Sequence, residues 1–293
     1  MADPKSDPRF DPTFDRRLTP ARADLAAKHL QGRVQATHFV EGEECEVIDP
    51  VAPMRREPAH DAPLETESLK GERVTIYDRN GEGWAWGQLK SDGYVGWLPE
   101  FSLVAPRSTP THKVIVPRTF AFPGPSIKLQ PAEALPLGAR IEVLRHENDF
   151  AITNQRHYLP ARHIAPLVQY EMDFVAVAEK FLGTPYLWGG KTSLGIDCSG
   201  LVQMSLAAAG IDAPRDSDMQ EAALGVAVPA SGTFQRGDLL FWKGHVAIVR
   251  DSETIIHANA YHMTTAIEPI KDALVRIRAA GGETTSVKRL KST

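Results

Sequence analysis

Cysteine is scarce in this chain: Cys45 and Cys198 are its only two in 293 residues. Two thiols and no Cys-x-x-Cys exclude a disulfide framework and a paired-cysteine metal knuckle. Long apolar runs are missing too, since no stretch approaches the roughly 20 residues that cross a bilayer. The start, Met-Ala-Asp-Pro-Lys-Ser-Asp-Pro-Arg-Phe, has no apolar run behind a basic stretch, so no secretory signal peptide is expected. Neither end carries a cysteine for lipidation. The expectation is a cytoplasmic protein with no membrane partner. With a net charge of −4 and no stripe of Lys and Arg, nucleic acid is excluded as a partner.

What is present divides into four parts. Hydrophobic residues make up 42% of the chain, enough for ordinary cores, and roughly 100–200 residues per domain allows two or three domains. Residues 1–31 are rich in Pro, Asp and Arg, with Asp-Pro at 3–4, 7–8 and 11–12, and should be extended, with a short helix over Pro20 to Leu30. Residues 32–106 read as short strands: Arg33–Thr37, Glu46–Ile48, Arg73–Tyr77, Trp84–Leu89 and Tyr94–Leu98. Asn80-Gly81 and Asp92-Gly93 supply turns, and the proline-rich stretch Pro50 to Pro63 reads as a surface loop. Residues 107–168 repeat the pattern more weakly, with strands at Lys113–Val116, Ala139–Leu144 and Phe150–Thr153. The ending Tyr94-Val95-Gly96-Trp97-Leu98-Pro99 corresponds to Arg156-His157-Tyr158-Leu159-Pro160, and each runs through a short loop to Leu103-Val104 or Pro166-Leu167. Residues 169–293 change character. Val175, Ala178, Phe181 and Leu182 give a helix over 171–182, Leu201 to Ala209 gives a second, and strands follow at Asp238–Trp242, His245–Val249 and Thr254–Ala258. This is a helix-first α+β domain with an antiparallel sheet.

Cys198 sits where a loop becomes a helix. The free N–H groups of a helix start stabilise a thiolate and can hold an oxyanion. A thiol attacking an amide needs a base, and His245 and His257 lie on two strands joined by the turn-like Asp251-Ser252-Glu253-Thr254. A hairpin would bring both imidazoles together, one as base and one as the group that orients it. Blander readings compete. Cys198 also reads as an inert buried thiol, and Asp197 as a cap of the following helix rather than a binder of substrate. Cys198, His245 and His257 could also hold zinc, although no close-spaced pair such as His-x-x-x-His is present. For Trp84, Trp86 and Trp97 the plain reading is core packing.

Five blocks together resemble the NlpC/p60 peptidases: Gly183-Thr184-Pro185-Tyr186-Leu187-Trp188-Gly189-Gly190, Gly195-Ile196-Asp197-Cys198-Ser199-Gly200-Leu201-Val202, Gly237-Asp238-Leu239-Leu240-Phe241, Gly244-His245-Val246-Ala247-Ile248 and His257-Ala258. Their order and spacing over about 170–293 are the family's. Gly83-Trp84-Ala85-Trp86-Gly87 and Gly96-Trp97-Leu98 resemble bacterial SH3-like domains. The resemblance implies an α+β chain: a papain-like catalytic domain preceded by two small SH3-like β-barrels. It implies Cys198 as nucleophile, His245 as base, His257 as the third polar residue and Tyr186 beside the thiol, with no metal or organic cofactor. Two SH3-like domains ahead of such a core resemble the γ-D-glutamyl-L-diamino acid endopeptidases of murein-peptide recycling. Their substrate is a murein peptide, L-Ala-γ-D-Glu-diamino acid, whose L-Ala amine is free. The positions matching their substrate contacts are Glu72, Tyr94, Trp188, Asp197, Ser199, Asp216 and Ser217. An amidase or acyltransferase would keep every catalytic motif, and a peptidoglycan-binding module would use the SH3-like pair as an anchor; both stand as alternatives.

Overall fold

Strand-forming runs with glycine turns dominate the first half of the chain, and they fold there into two β units. The structure, a computed structural model, describes residues 14–229 and 233–290. Residues 1–13 of the stretch read above as extended, with its three Asp-Pro pairs, lie outside the described residues. The first unit is one antiparallel sheet of seven strands: β1 (Glu43–Val47), β2 (Val51–Arg55), β3 (Leu64–Leu69), β4 (Arg73–Arg79), β5 (Trp84–Leu89), β6 (Val95–Pro99) and β7 (Leu103–Val104). Their order is β3-β2-β6-β5-β4-β1-β7. Its core is Cys45, Val47, Ala52, Met54, Val74, Ile76, Ala85, Leu89, Tyr94 and Leu98.

Three expectations in this region are corrected. The stretch Pro20 to Leu30 is not a helix: it holds a strand at Leu25–Ala27 and only a 3-10 turn at Lys28–Leu30. The strand expected at Arg33–Thr37 lies further on, at His38–Val40, and pairs in parallel with Leu25–Ala27. The Pro50–Pro63 loop contains β2. Lys70 N–H donates to the Pro50 carbonyl, so the ladder bonds to β3 run through even-numbered residues of β2 and the nitrogen of Pro53 faces the opposite edge. That edge is open there, because β2 meets β6 only at Arg55. A proline is tolerated where no donor is needed.

The second unit comprises β8 (His112–Val114), β9 (Arg118–Ala121), β10 (Glu133–Pro136), β11 (Arg140–Ile141), β12 (Val143–Glu147), β13 (Phe150–Thr153), β14 (Tyr158–Pro160) and β15 (Ile164–Pro166). They form the small sheets β11-β8-β15, β9-β10 and β12-β13-β14 around Val114, Ala121, Leu135, Ile141, Ala151 and Leu159. The repeated ending is real in three dimensions. Pro99 and Pro160 each precede a three-residue 3-10 turn that leads into a final strand. The second copy's last strand is Ile164–Pro166, two residues earlier than the pair Pro166-Leu167.

The third unit has α1 (Phe174–Glu179), α2 (Cys198–Ala208), α3 (Ser217–Ala223), β16 (Val226–Val228), β17 (Leu239–Trp242), β18 (His245–Val249), β19 (Thr254–Asn259), β20 (Thr264–Pro269), α4 (Ile270–Ala279) and β21 (Thr284–Arg289). The sheet order is β16-β21-β17-β18-β19-β20, antiparallel throughout. One face packs Leu239, Phe241, Val246 and Ile248 against α2, and the other packs Leu240, Trp242, Val249 and Ile255 against α4. Helices on both faces explain why these strands read as continuous apolar runs. Asp173 caps α1 through Val175 N–H and Ala176 N–H, which shortens the helix expected over 171–182.

Candidate active site

Cys198 is the first residue of α2, and Asp197 is its N-cap, accepting from Gly200 N–H at 2.7 Å. The approach is close. A Cβ on Gly200 would lie 2.4 Å from the Gly190 carbonyl oxygen, so only glycine lets the helix start sit against the 187–190 turn. The thiol is buried, and burial together with the Asp197 carboxylate pushes it up to about 12. The N–H groups of Val246 and Ser199 act in the opposite direction. The helix-start argument for a resting thiolate is therefore outweighed by desolvation, and at neutral pH the group is a thiol.

His245 and His257 meet as the hairpin argument requires. β18 and β19 pair with Val249 opposite Ile255. Continuing that ladder sets His257 one diagonal from His245, on the same face. His245 Nε2 lies 2.9 Å from His257 Nδ1. His257 Nε2 lies 3.1 Å from Glu268 Oε2, and Arg276 donates to both Glu268 oxygens at 3.0 and 2.6 Å. Bonds from His257 and Arg276 hold the Glu268 carboxyl near 2 against the opposing effect of burial, so it is ionised. The tautomers follow from that charge. An ionised carboxylate takes the Nε2 proton of His257, leaving His257 Nδ1 to accept from His245 Nε2–H. His245 Nδ1 is then its basic nitrogen. Burial, His257 and Arg276 lower His245 to about 3, so the ring is a neutral base at neutral pH. Neither Glu268 nor Arg276 stood out in the sequence. Register across β19–β20 and the turn into α4 bring them in, and no local motif marks either.

The substrate-contact positions fall into two groups. Tyr186 is half-buried, bonded through its N–H to the Met263 carbonyl, and its hydroxyl is raised by burial and by Cys198. Trp188 stands 66% exposed on the same turn. Tyr94, only 2% exposed, reaches across from the first β unit. Its hydroxyl lies 3.1 Å from Asp216 Oδ2 and 3.3 Å from Glu65 Oε2. Ser217 opens α3 beside Asp216.

Three of the expected positions are corrected. Glu72 is not brought to this cluster: its carboxylate accepts from Ser68 Oγ and Leu69 N–H at 2.9 and 2.8 Å, tying off its own turn. Glu65, four residues before Leu69 on β3, stands beside Tyr94 instead. Asp197 has no oxygen left for a substrate amine. Oδ1 accepts from Gly200 N–H, Ser199 Oγ and Arg215 Nη1, and Oδ2 from Gly189 N–H and Arg215 Nη2. Capping is its role. The Ser199 hydroxyl is likewise engaged by Asp197 and Arg215.

Arg215 is a further residue that sequence reasoning gave no role. It is 1% exposed, pairs with Asp197 at 2.7 Å and donates through Nε to Thr66 Oγ1 on β3 at 2.9 Å. One guanidinium therefore joins the Cys198 helix to the first β unit. Trp84 and Trp86 are buried, as the plain reading held, whereas Trp97 is half-buried; the Arg22 guanidinium lies over Trp86 and Trp97 at 4.5 and 5.0 Å. Among the described residues, the geometric set closest to a metal site is His257, His262 and Glu268, not Cys198, His245 and His257. Arg276 sits on the Glu268 oxygen that such an ion would need, so the donor set does not fit a cation.

Comparison with known proteins agrees with this arrangement. Residues 54–103 match the bacterial dipeptidyl-peptidase Sh3 domain, and residues 183–279 match the NlpC/P60 family. A gamma-D-glutamyl-L-lysine dipeptidyl-peptidase of Bacillus cereus is 29% identical over 241 residues, 71% of this chain and 71% of its own length. A protein of the same name from Bacillus subtilis is 31% identical over 199 residues, 61% of this chain and 64% of its own. The crystal structure of an NlpC/P60 family protein from Bacillus cereus shares the fold, with a TM-score of 0.72 at 22% identity over 84% of this chain and 99% of that one. A bacterial SH3 domain therefore stands ahead of an NlpC/P60 domain, and the chain is a cysteine-type peptidase.

Proposed function

We propose that this peptidase cuts the amide between γ-D-Glu and the diamino acid of cell-wall peptides whose N-terminal L-Ala amine is free. One observation carries the reading: the Tyr94 hydroxyl of the first β unit lies between Glu65 of β3 and Asp216 at the start of α3. A phenol has one proton, and here two carboxylate oxygens face it at 3.1 and 3.3 Å. Arg56 pairs with Glu65 Oε1 and Arg17 with Asp216 Oδ2, which leaves Glu65 Oε2 and Asp216 Oδ1 to accept from a substrate ammonium. An N-acyl group would remove that charge. The names of the Bacillus relatives support the same bond class.

In this reading each residue has one role. His245 Nδ1 takes the thiol proton as Cys198 Sγ bonds to the γ-carbonyl carbon. The Cys198 N–H, in the first turn of α2 where no intrahelical acceptor exists, and the Tyr186 hydroxyl bind the oxyanion. Collapse of the tetrahedral adduct breaks the C–N bond, and the departing amine takes the proton from His245. Water, deprotonated by His245, then hydrolyses the thioester and frees L-Ala-D-Glu. His257 holds the tautomer throughout.

The test is incubation of the wild type and C198A with L-Ala-γ-D-Glu-meso-diaminopimelate and its N-acylated form, read by mass spectrometry. Release of L-Ala-D-Glu from the free peptide by the wild type alone is expected. Cleavage of both peptides would remove the amine requirement, and cleavage of neither would remove this bond as the substrate.

A further inference from the structure

Asp216 is where the N-terminal segment meets the catalytic domain. Arg17 Nη1 donates to Asp216 Oδ2 at 2.7 Å and to Asp218 Oδ1 at 2.8 Å. Nη2 donates to Asp218 Oδ2 at 2.8 Å and to Asp15 Oδ2 at 2.7 Å, and Nε to Asp15 Oδ1 at 3.1 Å. Those partners lie 199 and 201 residues away in α3 and its cap, and two residues away in the segment itself.

The segment is not a loose tail at this point. The Arg17 carbonyl accepts from Val95 N–H at 2.8 Å, and the Leu18 carbonyl accepts from Gln88 Nε2 at 2.8 Å. Further on, Ala21, Ala26, Ala27 and Leu30 form a small core of their own, with Tyr77 of β4 packed against it. The strap is thereby fastened to the first β unit, and its guanidinium faces the third. Asp216 Oδ2 accepts from both Arg17 and Tyr94, so Oδ1 is the oxygen left for a further donor.

We propose that Arg17 is a positioning residue for the amine subsite: it fixes one oxygen of Asp216, so that the carboxylate is presented to the substrate's free amine by the N-terminal strap as well as by the catalytic domain. This rests on the reading of Tyr94, Glu65 and Asp216 as that subsite. The electrostatics point the same way. Asp216 is bonded by Tyr94, just before β6, and by Arg17 of the strap, with Arg215 of its own loop acting on it; Glu65 of β3 shares Tyr94, and Asp218 of α3 and Asp15 of the strap share Arg17. Burial favours the protonated acid there, and Arg215 and Arg17 oppose it. A protonated Asp216 cannot hold an ammonium, so removal of Arg17 weakens binding first where protons are abundant.

The experiment is steady-state kinetics of the full-length chain and its R17A and R17K variants on the free and N-acetylated tripeptides, from acidic to neutral pH, with a melting temperature for each protein. For R17A the expected result is a KM on the free peptide raised about tenfold, kcat changed by less than about twofold, and an acidic limb of kcat/KM moved to higher pH. R17K keeps the charge without the fork and should recover part of the KM. An unchanged KM with an unmoved acidic limb, in an enzyme that still rejects the acetylated peptide, overturns the role of Arg17 alone. A parallel fall of kcat and melting temperature in both variants, with the pH profile in place, makes Arg17 merely structural and also overturns it. A wild type that cuts both peptides equally overturns the subsite itself.

Discussion

Arg215 and Asp197 form a two-point ion pair, Nη1 to Oδ1 at 2.9 Å and Nη2 to Oδ2 at 2.7 Å, with the arginine side chain 1% and the aspartate side chain 9% exposed. The same carboxylate caps the helix that carries Cys198, and the same guanidinium reaches Thr66 on β3. Interdomain docking and nucleophile placement therefore depend on one pair of charges. Breaking a buried pair from one side leaves an uncompensated charge, which costs about 3–5 kcal/mol. R215M should lower the melting temperature sharply in a thermal scan and take activity with it. R215K should lose much of the same stability, since an ammonium cannot make the two-point contact. A melting temperature unchanged in R215M would show that the pair is dispensable.

In the proposed mechanism Glu268 acts on the reaction through two histidines. Replacing it with Gln removes the charge that fixes the His257 Nε2 proton, and with it the preference for a basic Nδ1 on His245. E268Q should lower kcat by at least about tenfold with little change in KM. Equal losses in E268Q and R276M would mean that Arg276 matters mainly by keeping Glu268 ionised. Full activity in E268Q would remove the relay.

The lowered His245 sets a pH dependence of stability. In the unfolded chain a histidine takes up a proton near pH 6.5, whereas in the folded protein His245 does so only near 3. Between those values the unfolded state binds more protons, so stability rises with pH and falls on acidification. His257, also lowered by burial, adds to the same trend. Melting curves between neutral and mildly acid pH should show H245N losing less stability than the wild type over that window. Parallel curves would show that His245 does not titrate as its burial implies.

Glu65 and Glu72 offer a direct contrast. E65Q should raise KM for the free-amine peptide about tenfold, because a charged hydrogen-bond partner of the ammonium is lost. E72Q should leave KM in place and lower the melting temperature modestly, since its carboxylate bonds only Ser68 and Leu69. The reverse pattern would restore Glu72 to the site.

The catalytic block was legible because its chemistry is local. Gly183 to Gly190, Asp197 to Gly200, His245 and His257 each sit in short segments whose turns, caps and strand periods are written in adjacent residues, and the hairpin needs only a four-residue link to pair two histidines. The repeat was legible for the same reason, down to Pro99 and Pro160 before matching turns. The α+β class followed from helices at Val175 and Leu201 preceding three apolar strands.

Tertiary structure decided what depends on distant groups meeting. Whether Asp197 caps or binds, whether Glu65 or Glu72 stands by Tyr94, and whether Cys198 rests as thiol or thiolate are each settled by burial and by partners far along the chain. Arg215 lies 18 residues from Asp197 and 149 from Thr66, and Arg17 lies 199 from Asp216. A buried charge is stable only where its partner arrives, and no local period or motif records where that will be. Sequence alone singled out the thiol and the two imidazoles as the proposed reacting groups; packing of three units determined which acids and guanidinium groups surround them.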